Sequence, residues 1–172
     1  MSDAPWRGRD SIYSVGTLDD ALRVISSLTQ AEVDYVVVGG VALNLHGLVR
    51  ATEDLDLFVR PDPENIERLR HALRAVWADP DIDQITADDL CGDYPAVRYG
   101  PPEGTLFIDI LTRLGEKTRF ADLQVQDKEV EGIPVRVATP STLYRMKRDT
   151  VRPIDRADAL ALRAAFNLED GD

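Results

Sequence analysis

The sequence predicts an α+β domain, a mixed β-sheet flanked by helices and followed by helices at its C-terminal end. Three observations lead there. In the first half, short runs of β-branched residues alternate with segments of helical period, at 34–38 then 40–48, and at 53–59 then a helix after Asp62-Pro63. In the second half, runs at 94–99 and 105–111 and runs at 122–130 and 133–138 read as two pairs of strands, each pair joined by a turn. Last, Pro140 and Pro153 each stand where a first-turn proline opens a helix. The order βα-βα-ββ-ββ-αα gives a mixed sheet with helices packed on one side.

The elements can be justified in order. Residues 1–16 are polar and glycine-containing and read as a flexible N-terminal segment, so that 17–172 form a single domain with a helical part at about 140–166. Thr17 is the expected N-cap of the first helix, with Asp20 three residues on, and Leu22, Val24, Ile25, Leu28 and Ala31 fall near one face. The valine-rich run 34–38 suits a buried strand. In 53–59, Glu53, Leu55, Leu57 and Val59 face one way and Asp54, Asp56 and Phe58 the other, because strand side chains alternate. Asp62-Pro63 caps a helix that carries Ile66, Leu69, Leu73 and Val76 at helical spacing. Residues 79–93 hold six aspartates and no basic residue, and read as an acidic loop. Strands 94–99 and 105–111 turn at Gly100-Pro-Pro-Glu-Gly104, and 122–130 and 133–138 form a hairpin across Glu131-Gly132. Arg152-Pro153 breaks the helix begun at Pro140 and opens the last one, which runs to about Phe166.

Composition narrows the function. At 172 residues and 44% hydrophobic, the chain suits one packed domain. No run approaches the ~20 apolar residues of a membrane span, and MSDAPWRGRD lacks the apolar stretch of a signal peptide. A single cysteine, Cys91, leaves no internal disulfide and no cysteine metal cluster, so the expected setting is cytoplasmic. The net charge of −11 argues against broad nucleic-acid binding, which needs phosphate neutralisation. Against that background 145–156 is basic, with Arg145, Lys147, Arg148, Arg152 and Arg156. Such a segment either faces an anionic ligand or is a solvated helix face.

The richest stretch is 34–59, DYVVVGGVALNLHGLVRATEDLDLFV. A strand runs into Gly39-Gly40, a short helix follows, and the next strand carries Asp54 and Asp56 on one face. Glycines let the backbone approach a triphosphate, and helix N-terminal amides favour the same anion. Two carboxylates side by side repel one another, a penalty that a bound cation removes, and hard oxygen donors suit Mg²⁺, with Mn²⁺ as the alternative. Asp109, in the apolar strand TLFIDIL, needs a partner: the same cation or an arginine. Arg50 and Thr52 either reach a phosphate or cap the loop, and Lys147 either meets the phosphates or is a surface charge. His46 and His71 read as packing or surface residues, and Cys91 as inert.

This stretch resembles the nucleotidyltransferase superfamily, whose sites carry a glycine followed by glycine or serine, a spacer, D-x-D, and a third acid on a later strand. The residues that match are Gly39, Gly40, Asp54, Asp56 and Asp109. GG-x-A followed by R-x-T-x-D-L-D-L, here Gly39 to Ala42 and Arg50 to Leu57, is most similar to the AbiEii/MenT-type toxin nucleotidyltransferases and their relatives. Lys147, with Arg152-Pro-Ile-Asp155-Arg-Ala-Asp158, resembles that group's C-terminal run, although isoleucine stands for the usual lysine before Asp155. The likeness covers about 30–166.

The resemblance implies a nucleotidyltransferase-like fold and metal-dependent nucleotidyl transfer from an NTP such as ATP. Asp54, Asp56 and Asp109 are then the catalytic and metal-holding residues. Gly39, Gly40, Arg50, Thr52 and Lys147 bind the nucleotide. The acceptor is tRNA, a protein hydroxyl or a small molecule, and a toxin–antitoxin setting brings a cognate partner. The competing expectation is a catalytically degenerate module of the same fold that serves only in binding or regulation.

Overall fold

The computed structural model describes residues 15–169 and residue 171. Its elements are α1 (Val15–Gln30), β1 (Tyr35–Val38), α2 (Gly39–Leu45), β2 (Asp54–Val59), α3 (Pro63–Val76), α4 (Ala87–Leu90), β3 (Ala96–Tyr99) and β4 (Phe107–Leu111). They continue as β5 (Arg113–Leu114), β6 (Thr118–Arg119), β7 (Val125–Val130), β8 (Ile133–Ala138), α5 (Pro140–Arg148) and α6 (Pro153–Phe166). Apart from Val15 and Gly16, which open α1, the expected flexible segment lies outside the described residues. Because α1 already begins at Val15, Thr17 falls inside the helix rather than capping it.

Six strands make one mixed sheet in the order β3-β4-β2-β1-β8-β7. The central pairs β1–β8 and β2–β4 are parallel, and β1–β2, β3–β4 and β7–β8 are antiparallel. All four β1 residues are buried, as a central strand with a parallel neighbour requires. The Tyr35 hydroxyl lies 3.2 Å from the Thr29 hydroxyl of α1. Tyr35 is the register partner of Val59, so α1 covers the face that carries Leu55 and Leu57. α3 packs on α1 there, with Ile25, Leu28, Ile66, Leu69 and Leu73 fully buried between them and the sheet. Asp62 caps α3 by accepting from the Asn65 amide at 3.0 Å. The buried Asn65 side chain in turn accepts from the Asp34 amide at 2.8 Å and donates to Arg60 O at 3.0 Å, tying the start of β1 to the end of β2.

The opposite face carries the acids. It is not bare, contrary to helices on one side only: Val36, Val38 and Phe58 are buried on it, and Phe120, from a one-turn helix at Phe120–Asp122, stands 6.5 Å from the Phe58 ring. Two further differences concern loops. The acidic stretch contains a 3₁₀ turn at Pro80–Gln84 and α4, capped by Asp79 and Thr86, whose side chains accept from the Asp81 and Asp89 amides. The β5–β6 ribbon follows β4 where no strand is expected. Among the described residues no helix is long and apolar enough to cross a membrane.

Candidate active site

The β1–α2 junction sets the geometry. Val38 is the register partner of Asp56, so the chain leaving β1 turns directly over that carboxylate. Gly39 sits at φ +67°, and a Cβ there would lie 2.0 Å from Asp56 Oδ2. Glycine is therefore required on two counts, backbone conformation and contact. The Gly40 amide donates to the Asp56 carboxylate. A Cβ on Gly40 would meet the Thr52 Cβ at 2.8 Å, so the second glycine lets the loop entering β2 pack against the turn.

That loop is held from both sides. Asn44 Nδ2 donates to Gly40 O at 3.0 Å and to Arg50 O at 2.7 Å, and its Oδ1 accepts from the Arg50 amide at 2.9 Å. Thr52 Oγ1 accepts from the Asp54 amide at 3.2 Å, closing the loop at the first residue of β2. Thr52 thus caps the loop beside Gly40.

β2 and β4 run parallel with Asp56 opposite Asp109 and Asp54 opposite Phe107, which puts all three carboxylates on one sheet face. β3 pairs antiparallel to β4 with Arg98 opposite Asp109. The Arg98 guanidinium spans the cluster: Nη2 donates to Asp54 Oδ1 at 2.8 Å, and Nη1 to Asp109 Oδ2 at 3.5 Å. It also lies 4.5 Å above the centre of the exposed Phe107 ring. Burial, followed by the neighbouring Asp109 and Asp54 charges, raises the Asp56 carboxyl to about 6, with Lys147 and the Gly40 amide opposing. Asp109 is also raised, by burial first and by Asp54, against the pull of Arg98.

Lys147 and Arg50 converge on α6 instead. Lys147 Nζ donates to Asp155 Oδ1 at 2.8 Å and to Asp158 Oδ2 at 2.9 Å. Arg50 Nε lies 3.3 Å from Asp158 Oδ1. Thr150 Oγ1 donates to Asp155 at 3.1 Å. Lys147 remains close enough to Asp56 to favour its ionised form. Of the residues expected from sequence, the structure brings Asp54, Asp56, Asp109, Gly39 and Gly40 together, with Thr52 supporting them and Arg50 and Lys147 in the adjacent network. His46 Nε2 lies 2.8 Å from Ala138 O and its ring packs edge-on to Phe166, a packing role. His71 and Cys91 are exposed. Phe107 and Asn44 are not singled out by the sequence, and Arg98 enters only as the unnamed arginine expected at Asp109. Arg98 had a signal in its strand position, but its partner depends on a register between segments that a long turn separates. A cleft of about 460 Å³ beside α1, lined by Leu22, Ser26, Val76 and Ile133 among others, lies away from the acids.

The model of the family described as nucleotidyl transferase AbiEii toxin, type IV TA system, matches residues 20–158. The chain belongs to this family. The matched span includes the carboxylate face, the glycine turn and the Lys147–Asp158 network. None of the curated protein sequences matches the chain. Among solved structures, it is similar to an antigenic nucleotidyltransferase-like protein from Paracoccidioides brasiliensis, with 20% identity, TM-score 0.55, and coverage of 88% of this chain and 78% of that one. A putative nucleotidyltransferase from Thermotoga maritima is similar at 16% identity and TM-score 0.53, covering 87% and 92%. ANT(2")-Ia, solved in complex with adenylyl-2"-tobramycin, is similar at 14% identity and TM-score 0.52, covering 87% and 90%. These likenesses show the nucleotidyltransferase-like fold.

Proposed function

We propose that the chain transfers a nucleoside monophosphate from an NTP to an acceptor at the face formed by Asp54, Asp56 and Asp109, with Mg²⁺ or Mn²⁺ held by those carboxylates. The observation that carries this is the β2–β4 register, which sets Asp56 beside Asp109 directly under the Gly39 turn. The donor set fits a hard divalent cation: it is all carboxylate oxygen, and burial, with the neighbouring Asp109 and Asp54 charges, already raises Asp56 to about 6. Among the described residues no three acids are gathered tightly enough to hold a metal as they stand. Arg98 bridges Asp54 and Asp109 and places a positive charge between them.

When bound, the metal supplies charge stabilisation for the attacking and leaving oxygens. Everything else falls to the chain. Asp109, the outer member of the cluster, positions the acceptor hydroxyl and takes its proton. Gly39, without a side chain, lets the turn close over the Asp56 carboxylate. Lys147 and Arg50, held by Asp155 and Asp158, add only a background of positive potential at the α6 side of the site. The family's name supports a toxin role with a cognate antitoxin, acting in the cytoplasm where NTP and Mg²⁺ are available. The adenylyl-tobramycin bound to ANT(2")-Ia favours a hydroxylated small molecule as one acceptor class. The charge of −11 weighs against an RNA gripped along its backbone, leaving tRNA and protein hydroxyls as the other arms of the test.

The test is to incubate the protein with each α-³²P-labelled NTP, Mg²⁺ or Mn²⁺, and a whole-cell extract, then separate RNA, protein and small molecules. Label in one fraction, absent with Asp56→Asn, is expected. No label with any NTP, from a protein that binds neither metal nor nucleotide, would leave a degenerate module, a reading for which the Arg98 bridge is the supporting observation.

A further inference from the structure

We infer that Arg98 couples metal binding to nucleotide binding: its guanidinium holds the cation position between Asp54 and Asp109 and passes to the triphosphate when a divalent cation takes those carboxylates. The inference rests on the metal-dependent reading above. Arg98 contacts both Asp54 and Asp109, at 2.8 and 3.5 Å, while lying 53% exposed on the edge strand β3. Its planar fork presents several donors in a fixed geometry, and two different nitrogens each take one carboxylate. The bond to Asp54 is short and the one to Asp109 long, and both acids are part-exposed, so the guanidinium is held by charge rather than by burial.

Phe107 gives the arginine a second support. Its ring is 42% exposed and lies under the guanidinium, on the same sheet face as the acids. The arginine can thus leave the carboxylates without leaving its platform. A cation arriving at Asp54 and Asp109 removes their attraction for the guanidinium and repels it. The nearest strong anion is then a triphosphate carried by the same cation, and guanidinium recognises phosphate oxygens in the same bidentate manner. Metal alone must displace Arg98 without recompense, whereas metal with nucleotide gives it a new partner, which is positive coupling between the two ligands.

The experiment compares wild type, Arg98→Gln and Arg98→Lys, each checked for an unchanged melting profile. Mn²⁺ is titrated by calorimetry without nucleotide, and then the Mn²⁺ complexes of the four α,β-methylene nucleoside triphosphates are titrated. Arg98→Gln should bind Mn²⁺ alone about tenfold more tightly than wild type, and the best metal–nucleotide complex about tenfold more weakly, within the usual range of couplings between sites. Arg98→Lys should fall between, keeping the charge and losing the fork. Unchanged Mn²⁺ affinity in Arg98→Gln, or unchanged affinity for every analogue, overturns the inference while leaving the metal site standing. Absence of Mn²⁺ binding in all three proteins overturns both.

Discussion

Two charged clusters stand close enough for the Lys147 charge to act on Asp56, and they are built on opposite terms. On the sheet face, Asp54 and Asp109 share one guanidinium beside the more buried Asp56, and the side chains that meet are open: Asp54 is 34% exposed, Asp109 26% and Arg98 53%. Between α5 and α6, Asp155 and Asp158 face Lys147 and Arg50, with Arg152 at the rim 3.7 Å from Asp155. There Asp158 is 9% exposed, Asp155 11% and Lys147 14%. The second cluster is electrically closed and stabilises the packing of its two helices. The first is short of positive charge and open to solvent, so a ligand can complete it. Charge imbalance at an accessible face, rather than the mere presence of charge, separates a ligand-binding cluster from a structural one.

The sharpest way to break this contrast is Lys147→Ala. If the helical network is structural, the substitution leaves Asp158 with Arg50 and Asp155 with Arg152 and Thr150, and should cost about 1.5–3 kcal/mol in urea unfolding. A stable Lys147→Ala protein with weakened triphosphate binding would instead move the lysine to the open cluster. The complementary change, Asp109→Asn, should leave urea stability nearly untouched and lower nucleotidyl transfer by about 10²–10³-fold or more, judged by label incorporation. Comparable stability losses from both would erase the distinction.

Gly39 tests the boundary of the open cluster. Gly39→Ala meets both a positive φ of 67° and Asp56 Oδ2 at 2.0 Å, whereas Gly47→Ala meets a φ of 86° and no atom within 4 Å. Both should lose about 1–2 kcal/mol for the backbone conformation. Gly39→Ala should lose a further ~1 kcal/mol or more, with transfer abolished by displacement of Asp56. Equal melting losses would show that the carboxylate moves aside freely.

How much of this was legible from sequence follows from how local each signal is. The β1–α2–β2 unit was readable because period, glycines and acids all lie within one stretch of chain, and the hairpin at 125–138 because Glu131-Gly132 announces it. The turns inside the acidic stretch were missed although Asp79-Pro80 and Thr86 are ordinary caps, since six aspartates outweighed them as a loop signal. For Lys147 the sequence leaves either the phosphates or a surface charge. Its contacts with Asp155 and Asp158, eight and eleven residues on in the next helix, are not revealed by the spacing of α5 alone. Arg98 was out of reach for a stronger reason. Its contact with Asp54 spans 44 residues and depends on β4 lying between β3 and β2.

The smallest predicted effect is also the one in which the two clusters differ in sign. Asp56, partly buried, is raised to about 6 from an ordinary 3.8, chiefly by burial and then by Asp109 and Asp54. A raised carboxyl binds its proton more tightly in the folded state. Its contribution is therefore full below 3.8 and is lost as pH rises through about 6. Asp155 is shifted the other way: burial alone would raise it, but Lys147, Thr150 and Arg152 together hold it below 3.8. Its contribution is present above that value and is lost only as pH falls below the ordinary carboxylate range. In metal-free buffer, lowering pH from 7 to 5 should thus stabilise wild type relative to Asp56→Asn by about 1 kcal/mol, after allowance for partial exposure. Urea midpoints of the two proteins at both pH values, in chelator, measure it. Adding Mg²⁺ should abolish the difference, because a cation at the carboxylates takes over the proton's stabilising role. A wild-type protein whose stability relative to Asp56→Asn is flat over that interval would mean that Arg98 already neutralises the cluster, and that the open face is as closed as the helical one.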